Sequence, residues 1–139
     1  MISPFKPAPA AGDDPSPGLG RILIVDDEEP IRKLLLAFLT RRGYTVEAAA
    51  TLAEARAALA EKGFNLAIVD LLLPDGDGMD LVRYLHDTCH TPAIVMTGIG
   101  YDEGLLREAH EASAAAYISK LLPLDQLLME VHRVLRSSA

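Results

Sequence analysis

The stretch Asn65 to Gly78, NLAIVDLLLPDGDG, decides the fold, because it puts a single acid, Asp70, at the exit of a strongly apolar strand. Leu66, Ala67, Ile68 and Val69 form the short continuous apolar run of a strand covered on both faces. Pro74, Gly76 and Gly78 forbid its continuation, so the chain turns just after Asp70. A carboxylate at the tip of a buried strand is only partly solvated and needs a hydrogen-bond donor, a cation or a job. Taken alone, Asp70 is better read as a loop-capping acid.

Working outward, the same alternation repeats. Arg21 to Val25 (RILIV) is a strand candidate, followed by Asp26, Asp27, Glu28, Glu29 and then Pro30, a first-turn residue of a helix. Ile31, Leu34, Leu35, Phe38 and Leu39 follow at helical spacing, and Gly43 supplies the stop. Tyr44 to Ala49 gives a second strand, and Thr51-Leu52-Ala53-Glu54 has the capping-box form that opens a helix running to Gly63. Past the central stretch, a helix from about Met79 to Asp87 buries Leu81, Val82 and Leu85, and Pro92 to Thr97 (PAIVMT) is a fourth strand. Asp102 caps a helix carrying Leu105, Leu106 and Ala109, and Ala115 to Ser119 (AAYIS) makes a fifth strand. Pro123 starts the last helix, with Leu124, Leu127, Leu128, Val131 and Leu135 on one face.

Residues 1–20, with five prolines and three glycines and no apolar periodicity, read as a disordered tail or linker, and the domain occupies 21–139. No run approaches the roughly 18 to 20 apolar residues of a membrane span, so no membrane insertion is expected. The N-terminus lacks the basic and apolar regions of a secretion signal, and the one cysteine, Cys89, cannot form an internal disulfide. A reducing cytoplasm is the simplest compartment. A formal net charge of −7 argues against direct nucleic-acid binding.

Five strands and five helices in strict alternation imply right-handed crossovers and an α/β doubly wound (βα)5 domain with a parallel sheet. The common order at this size is 2-1-3-4-5, with the ligand site outside the carboxyl ends of strands 1 and 3. Asp26 and Asp27 end strand 1, Asp70 ends strand 3, Thr97 ends strand 4 and Lys120 follows strand 5. All fall on one edge. Three carboxylates about 4 Å apart cost roughly 4 kcal/mol per pair at an effective dielectric of 20, so they need a cation. Oxygen-only ligands with room for water and a phosphate oxygen suit Mg2+ better than Ca2+. Mg2+, the Lys120 ammonium, the Thr97 hydroxyl and a carboxylate oxygen of Asp70 together describe phosphoryl transfer onto an aspartate.

Each residue also has a plainer reading. The acids Asp26 to Glu29 favour the positive end of a helix, and Thr97 caps a strand end through backbone bonds. Tyr117 is half-buried packing and Lys120 an exposed lysine. Joint placement on one edge favours the chemical reading. His86, His90, His110 and His132 have no matched partner residues and read as solvated faces, and Cys89 has no paired base.

From about Arg21 to Arg136 the chain resembles a response-regulator receiver domain of the two-component systems. The matching pieces are Ile24-Val25-Asp26-Asp27, Asp70 followed by Leu73-Pro74-Asp75-Gly76-Asp77-Gly78, Met96-Thr97-Gly98, and Tyr117 three residues before Lys120. The resemblance implies a flavodoxin-like fold and a signalling domain rather than an enzyme, one that catalyses its own phosphorylation and slow dephosphorylation. Asp70 is then the phospho-acceptor, taking a phosphoryl group from the phosphohistidine of a sensor histidine kinase or a histidine phosphotransfer protein. Asp26, Asp27, Asp70 and the backbone carbonyl of Leu72 would bind Mg2+. Lys120 and Thr97 would contact the phosphoryl oxygens, and Thr97 and Tyr117 would switch the helix 4, strand 5 and helix 5 surface for an output partner, with Ile99, Tyr101, Leu121 and Leu122 nearby. Leu72 and Ile99, both apolar, imply a relatively long-lived phosphoryl group.

The sequence departs from the family pattern at three places. Leu121 stands where a cis-proline is usual, Ser113 where glycine is usual, and the interval from Thr97 to Lys120 is one residue longer. Two other classes are a pseudo-receiver that only binds a partner and a haloacid-dehalogenase-type phosphatase. The latter needs a second acid at the position of Leu72. The chain reads either as a stand-alone receiver or as part of a longer protein.

Overall fold

The computed structural model describes residues 19–98 and 102–138. The tail read at 1–20 lies outside them except for its last two residues, and so do Ile99 and Tyr101. Strands β1 (Arg21–Val25), β2 (Thr45–Ala49), β3 (Leu66–Asp70), β4 (Ala93–Thr97) and β5 (Ala116–Ser119) form one parallel sheet. Its order is β2-β1-β3-β4-β5, the flavodoxin-like order expected from the alternation. The helices are α1 (Glu29–Arg41), α2 (Leu52–Glu61), α3 (Gly78–Tyr84), α4 (Glu103–Glu111) and α5 (Leu124–Ser138).

Successive strand residues point to opposite faces, and both faces are covered. Ile22, Ile24, Leu66, Ile68, Ile94 and Met96 pack with Leu35 and Leu39 of α1 and with Leu127, Val131 and Val134 of α5. Leu23, Val25, Ala67, Val69, Ala93 and Val95 pack with Ala55 of α2, Met79, Leu81 and Val82 of α3 and Ala109 of α4. This two-sided burial is why β3 and β4 read as unbroken apolar runs, whereas β2, at the edge, is mostly half-buried. Each fully buried Leu, Ile or Val contributes about 1.5–3 kcal/mol, so the three central strands hold the sheet edge rigid.

The local signals act largely as their chemistry requires. Pro30 sits in the first turn of α1, and Gly43 follows its end with φ +104, a conformation costly for any other residue. Thr51 caps α2 by accepting from the Glu54 N–H at 3.1 Å, while Glu54 reaches back to the Ala50 N–H at 2.7 Å. Asp102 caps α4 through the Leu105 N–H at 2.9 Å. The third helix differs from expectation: it starts at Gly78 and does not end at Asp87. The chain widens into a π turn, Leu85–Cys89, and stops where His90 turns left-handed and the Thr91 N–H closes onto the Leu85 carbonyl at 2.9 Å.

Candidate functional site

Strand register sets the site. Val25 pairs with Val69, Asp70 with Met96, and Thr97 with Ser119, so Asp26, Asp70, Thr97 and Lys120 emerge side by side at the carboxyl edge. The Lys120 N–H donates to the Thr97 carbonyl at 2.8 Å, extending the β4–β5 ladder by one residue. Asp26, Asp70 and Thr97 are buried, and Asp27 is exposed. One carboxylate oxygen from each of Asp26, Asp27 and Asp70 lies within 4.8 Å of the other two.

Asp26 and Asp75 are held by backbone N–H groups. Asp26 accepts from the Glu28 N–H at 2.8 Å, closing a tight turn into α1, and its carbonyl accepts from Arg32 Nη1 at 2.8 Å. Beyond Asp70, Leu72–Leu73 and Gly76–Asp77 form a small antiparallel hairpin. Asp75 in its turn accepts from the N–H groups of Leu52 and Ala53 at 2.8 and 3.0 Å, tying this loop to the first turn of α2. Those bonds hold the Asp75 carboxyl below its usual pKa.

Lys120 spans the cluster. Its Nζ lies 3.1 Å from Asp26 Oδ2, 3.1 Å from Asp70 Oδ2 and 2.5 Å from Glu28 Oε1. Burial alone would lower the pKa of this amine, but hydrogen bonds to Glu28, Asp26 and Asp70 outweigh it and leave the ammonium above the usual lysine value. Burial pushes the Asp70 carboxyl up; Lys120 and the Leu72 N–H oppose that shift, and Asp26 adds to it. One lysine does not fully compensate the acids at this edge.

The residues present fit a hard cation. Asp26 Oδ2 is buried and accepts no well-directed hydrogen bond, even with Lys120 Nζ 3.1 Å away. An oxygen with an unused lone pair, converging with two other carboxylates and no nitrogen or sulfur donor, matches the Mg2+ preference. A cavity of about 320 Å³ beside it is lined by Asp27, Glu28, Asp70, Leu72, Thr97, Gly98 and Lys120. Leu72 stands at its rim, 68% exposed.

The structure thus brings together Asp26, Asp27, Asp70, Thr97, Lys120 and Leu72. Tyr117 stands apart, half-buried against the α2–α4 side of the sheet. Two residues escaped the sequence reading in their present roles. Glu28 belongs to the acid run but pairs with Lys120, and Arg32, one helical turn later, clamps the Asp26 carbonyl. Leu121 leaves Lys120 in reach of the acids: its N–H, which proline lacks, donates to Ser119 Oγ at 3.0 Å. His86 pairs with Asp87, the His132 ring lies tilted 6.3 Å from that of Tyr44, and no histidine joins a metal-ligand cluster among the described residues.

A doubly wound parallel sheet with convergent carboxylates and an ammonium at its carboxyl edge places the chain among the α/β domains whose polar residues gather where the strand order reverses. The response regulator receiver domain profile matches residues 22–132, and the chain belongs to that family. It is 38% identical over 115 residues to protein PetR of Rhodobacter capsulatus, covering 83% of this chain and 48% of PetR. It is 33% identical over 119 residues to the transcriptional regulatory protein ResD of Bacillus subtilis, covering 86% and 49%. The chain spans about half the length of these curated relatives. Among solved structures, it is similar to a CheY-like receiver domain protein from Methanospirillum hungatei, with TM-score 0.80, 36% identity and coverage of 86% and 96%. The BeF3-activated receiver domain of Klebsiella pneumoniae RstA gives TM-score 0.78, 28% identity and coverage of 84% and 98%. Among the described residues, no helix is long and apolar enough to cross a membrane.

Proposed function

We propose that Asp70 is the phospho-acceptor of this receiver domain, and that a histidine kinase or histidine phosphotransfer protein supplies the group. The observation that carries this reading is Lys120 Nζ, 3.1 Å from the same Asp70 carboxylate that offers one oxygen to a cluster with Asp26 and Asp27. An Asp70 oxygen attacks phosphorus, the P–N bond to the donor imidazole breaks with its electron pair going to the ring, and an acyl phosphate forms. Asp26, Asp27, Asp70 and the Leu72 carbonyl would hold Mg2+, which when bound supplies positive charge to the phosphoryl oxygens. Lys120 offsets further charge, Thr97 orients the group, and the buried setting of Asp70 limits access of water to its carbonyl carbon.

Phosphorylation adds charge where Thr97 and Lys120 meet across the β4–β5 register, three residues beyond Tyr117. Displacement of Thr97 and Tyr117 would then alter the surface of α4, β5 and α5 that an output partner reads. The cytoplasm, where kinases draw on ATP, is the compartment this reading implies. Apolar Leu72 offers no hydrogen bond to an attacking water, so Leu72→Asn should shorten the phosphoryl lifetime, read by loss of phosphate after donor removal.

The deciding experiment is mass spectrometry after incubation with acetyl phosphate, with and without Mg2+, on the parent and on Asp70→Asn. One phosphoryl group gained only with Mg2+ and only by the parent supports the reading. No gain in the parent would leave a domain that only binds partners.

A further inference from the structure

Lys120 has three ammonium hydrogens, and three carboxylates take them: Asp26, Glu28 and Asp70. A phosphoryl oxygen that needs this lysine must displace one of them. Asp26 is fully buried and cannot turn to water, and Asp70 is itself the group modified. Glu28 differs from both. Its side chain is 56% exposed, it is the cap residue of α1, and besides the pair with Lys120 only its backbone N–H is engaged by the site, through Asp26.

We infer that Glu28 is a positioning residue for the transfer reaction, a displaceable carboxylate that occupies Lys120 in the resting domain and gives it up to the incoming phosphoryl group. The inference rests on the proposed acceptor role of Asp70. Glu28 lines the same cavity as Asp70, Thr97 and Lys120, so it stands where an entering phosphate group meets the ammonium. The Glu28 side of the pair is exposed, so its carboxylate can turn out into water at little cost. The pair therefore slows entry without preventing it, and keeps Lys120 from collapsing wholly onto the two buried acids.

The test compares acetyl phosphate kinetics, at saturating Mg2+, for the parent, Glu28→Gln, Glu28→Asp and Glu29→Gln, together with the affinity of each for beryllofluoride. Glu28→Gln removes the competitor and should phosphorylate about twofold to fivefold faster and bind beryllofluoride tighter by a similar factor. Glu28→Asp keeps the charge but draws the carboxylate back by about one C–C bond, ~1.5 Å, and should behave like Glu28→Gln. Glu29→Gln loses an equal charge from a carboxylate paired with Lys33 at 3.1 Å, and should match the parent. A Glu28→Gln rate equal to the parent's overturns the inference while leaving Asp70 as acceptor. Equal acceleration by Glu29→Gln, or a parent-like Glu28→Asp, also overturns it, since the effect would then be general charge. A parent that takes no phosphoryl group removes the acceptor reading and this inference with it.

Discussion

Gly78 is pressed against Asp70: a Cβ on Gly78 would lie 2.1 Å from the Asp70 carbonyl oxygen and 2.9 Å from the Leu71 Cα. The Gly78 N–H also donates to the Leu71 carbonyl at 2.8 Å. The start of α3 therefore rests directly on the backbone leaving β3, and the atoms in the way are main chain, which cannot rotate aside. Gly78→Ala is expected to cost about 3 kcal/mol in urea denaturation and to slow phosphoryl gain from acetyl phosphate, because relief of the clash must move Asp70, the proposed acceptor. A variant as stable as the parent would show that this contact relaxes freely.

Asp70→Asn should stabilise the domain in the absence of divalent cations. Burial raises the Asp70 carboxyl, so the folded state favours its neutral form. The sign follows from linkage: the stability that goes with the neutral acid is fully present below the ordinary carboxylate range and is lost as pH rises through the raised folded value. At neutral pH the parent carries that deficit and the amide does not. The expected result is a higher Tm for the variant in EDTA above that window, with the difference shrinking as pH falls. Equal melting temperatures across the range would refute it.

Most of the fold and most of the site were legible because both depend on position along the strands. Unbroken apolar runs reported two-sided burial, and the residues just past them had to share one edge once the order was 2-1-3-4-5. What was not legible depends on side-chain reach. Glu28 and Arg32 point back from α1 to Lys120 and Asp26, and Asp75 crosses to the N-terminus of α2; nothing in their local spacing selects those partners over water. The third helix escaped for a related reason. No glycine marks its end, since His90 supplies the left-handed stop with φ 55.

Ser113 supplies a similar stop after α4, with φ 68, and its N–H donates to the His110 carbonyl at 3.0 Å. A left-handed residue with a Cβ costs roughly 1–2 kcal/mol, and glycine removes that cost. Ser113→Gly should therefore raise stability by about 1 kcal/mol in denaturant titration, with some of the gain offset by the greater entropy of the unfolded chain. Loss of stability instead would mean that the serine side chain contributes more than its backbone strain.

Lys120→Gln tests whether the acids at the sheet edge depend on a cation. In the parent the ammonium stands within 3.1 Å of both Asp26 and Asp70, and the side chain is only 11% exposed. Removing it leaves two buried carboxylates facing one another with no positive charge, for which a loss of about 3 kcal/mol is expected in EDTA. Because the lysine pKa is raised, its contribution is present throughout the neutral range and is lost only as pH rises through the folded value. Acid should narrow the gap between parent and variant from the other side, by protonating Asp70. Mg2+ should narrow it too, since a cation held by Asp26, Asp27 and Asp70 replaces the missing charge; at a hundred times its Kd, binding returns about 2.7 kcal/mol. A Tm titration with Mg2+ in both proteins reads this directly. A larger Mg2+-induced rise in the variant than in the parent is the expected result. Equal rises would mean that the lysine and the ion do not act on the same carboxylates.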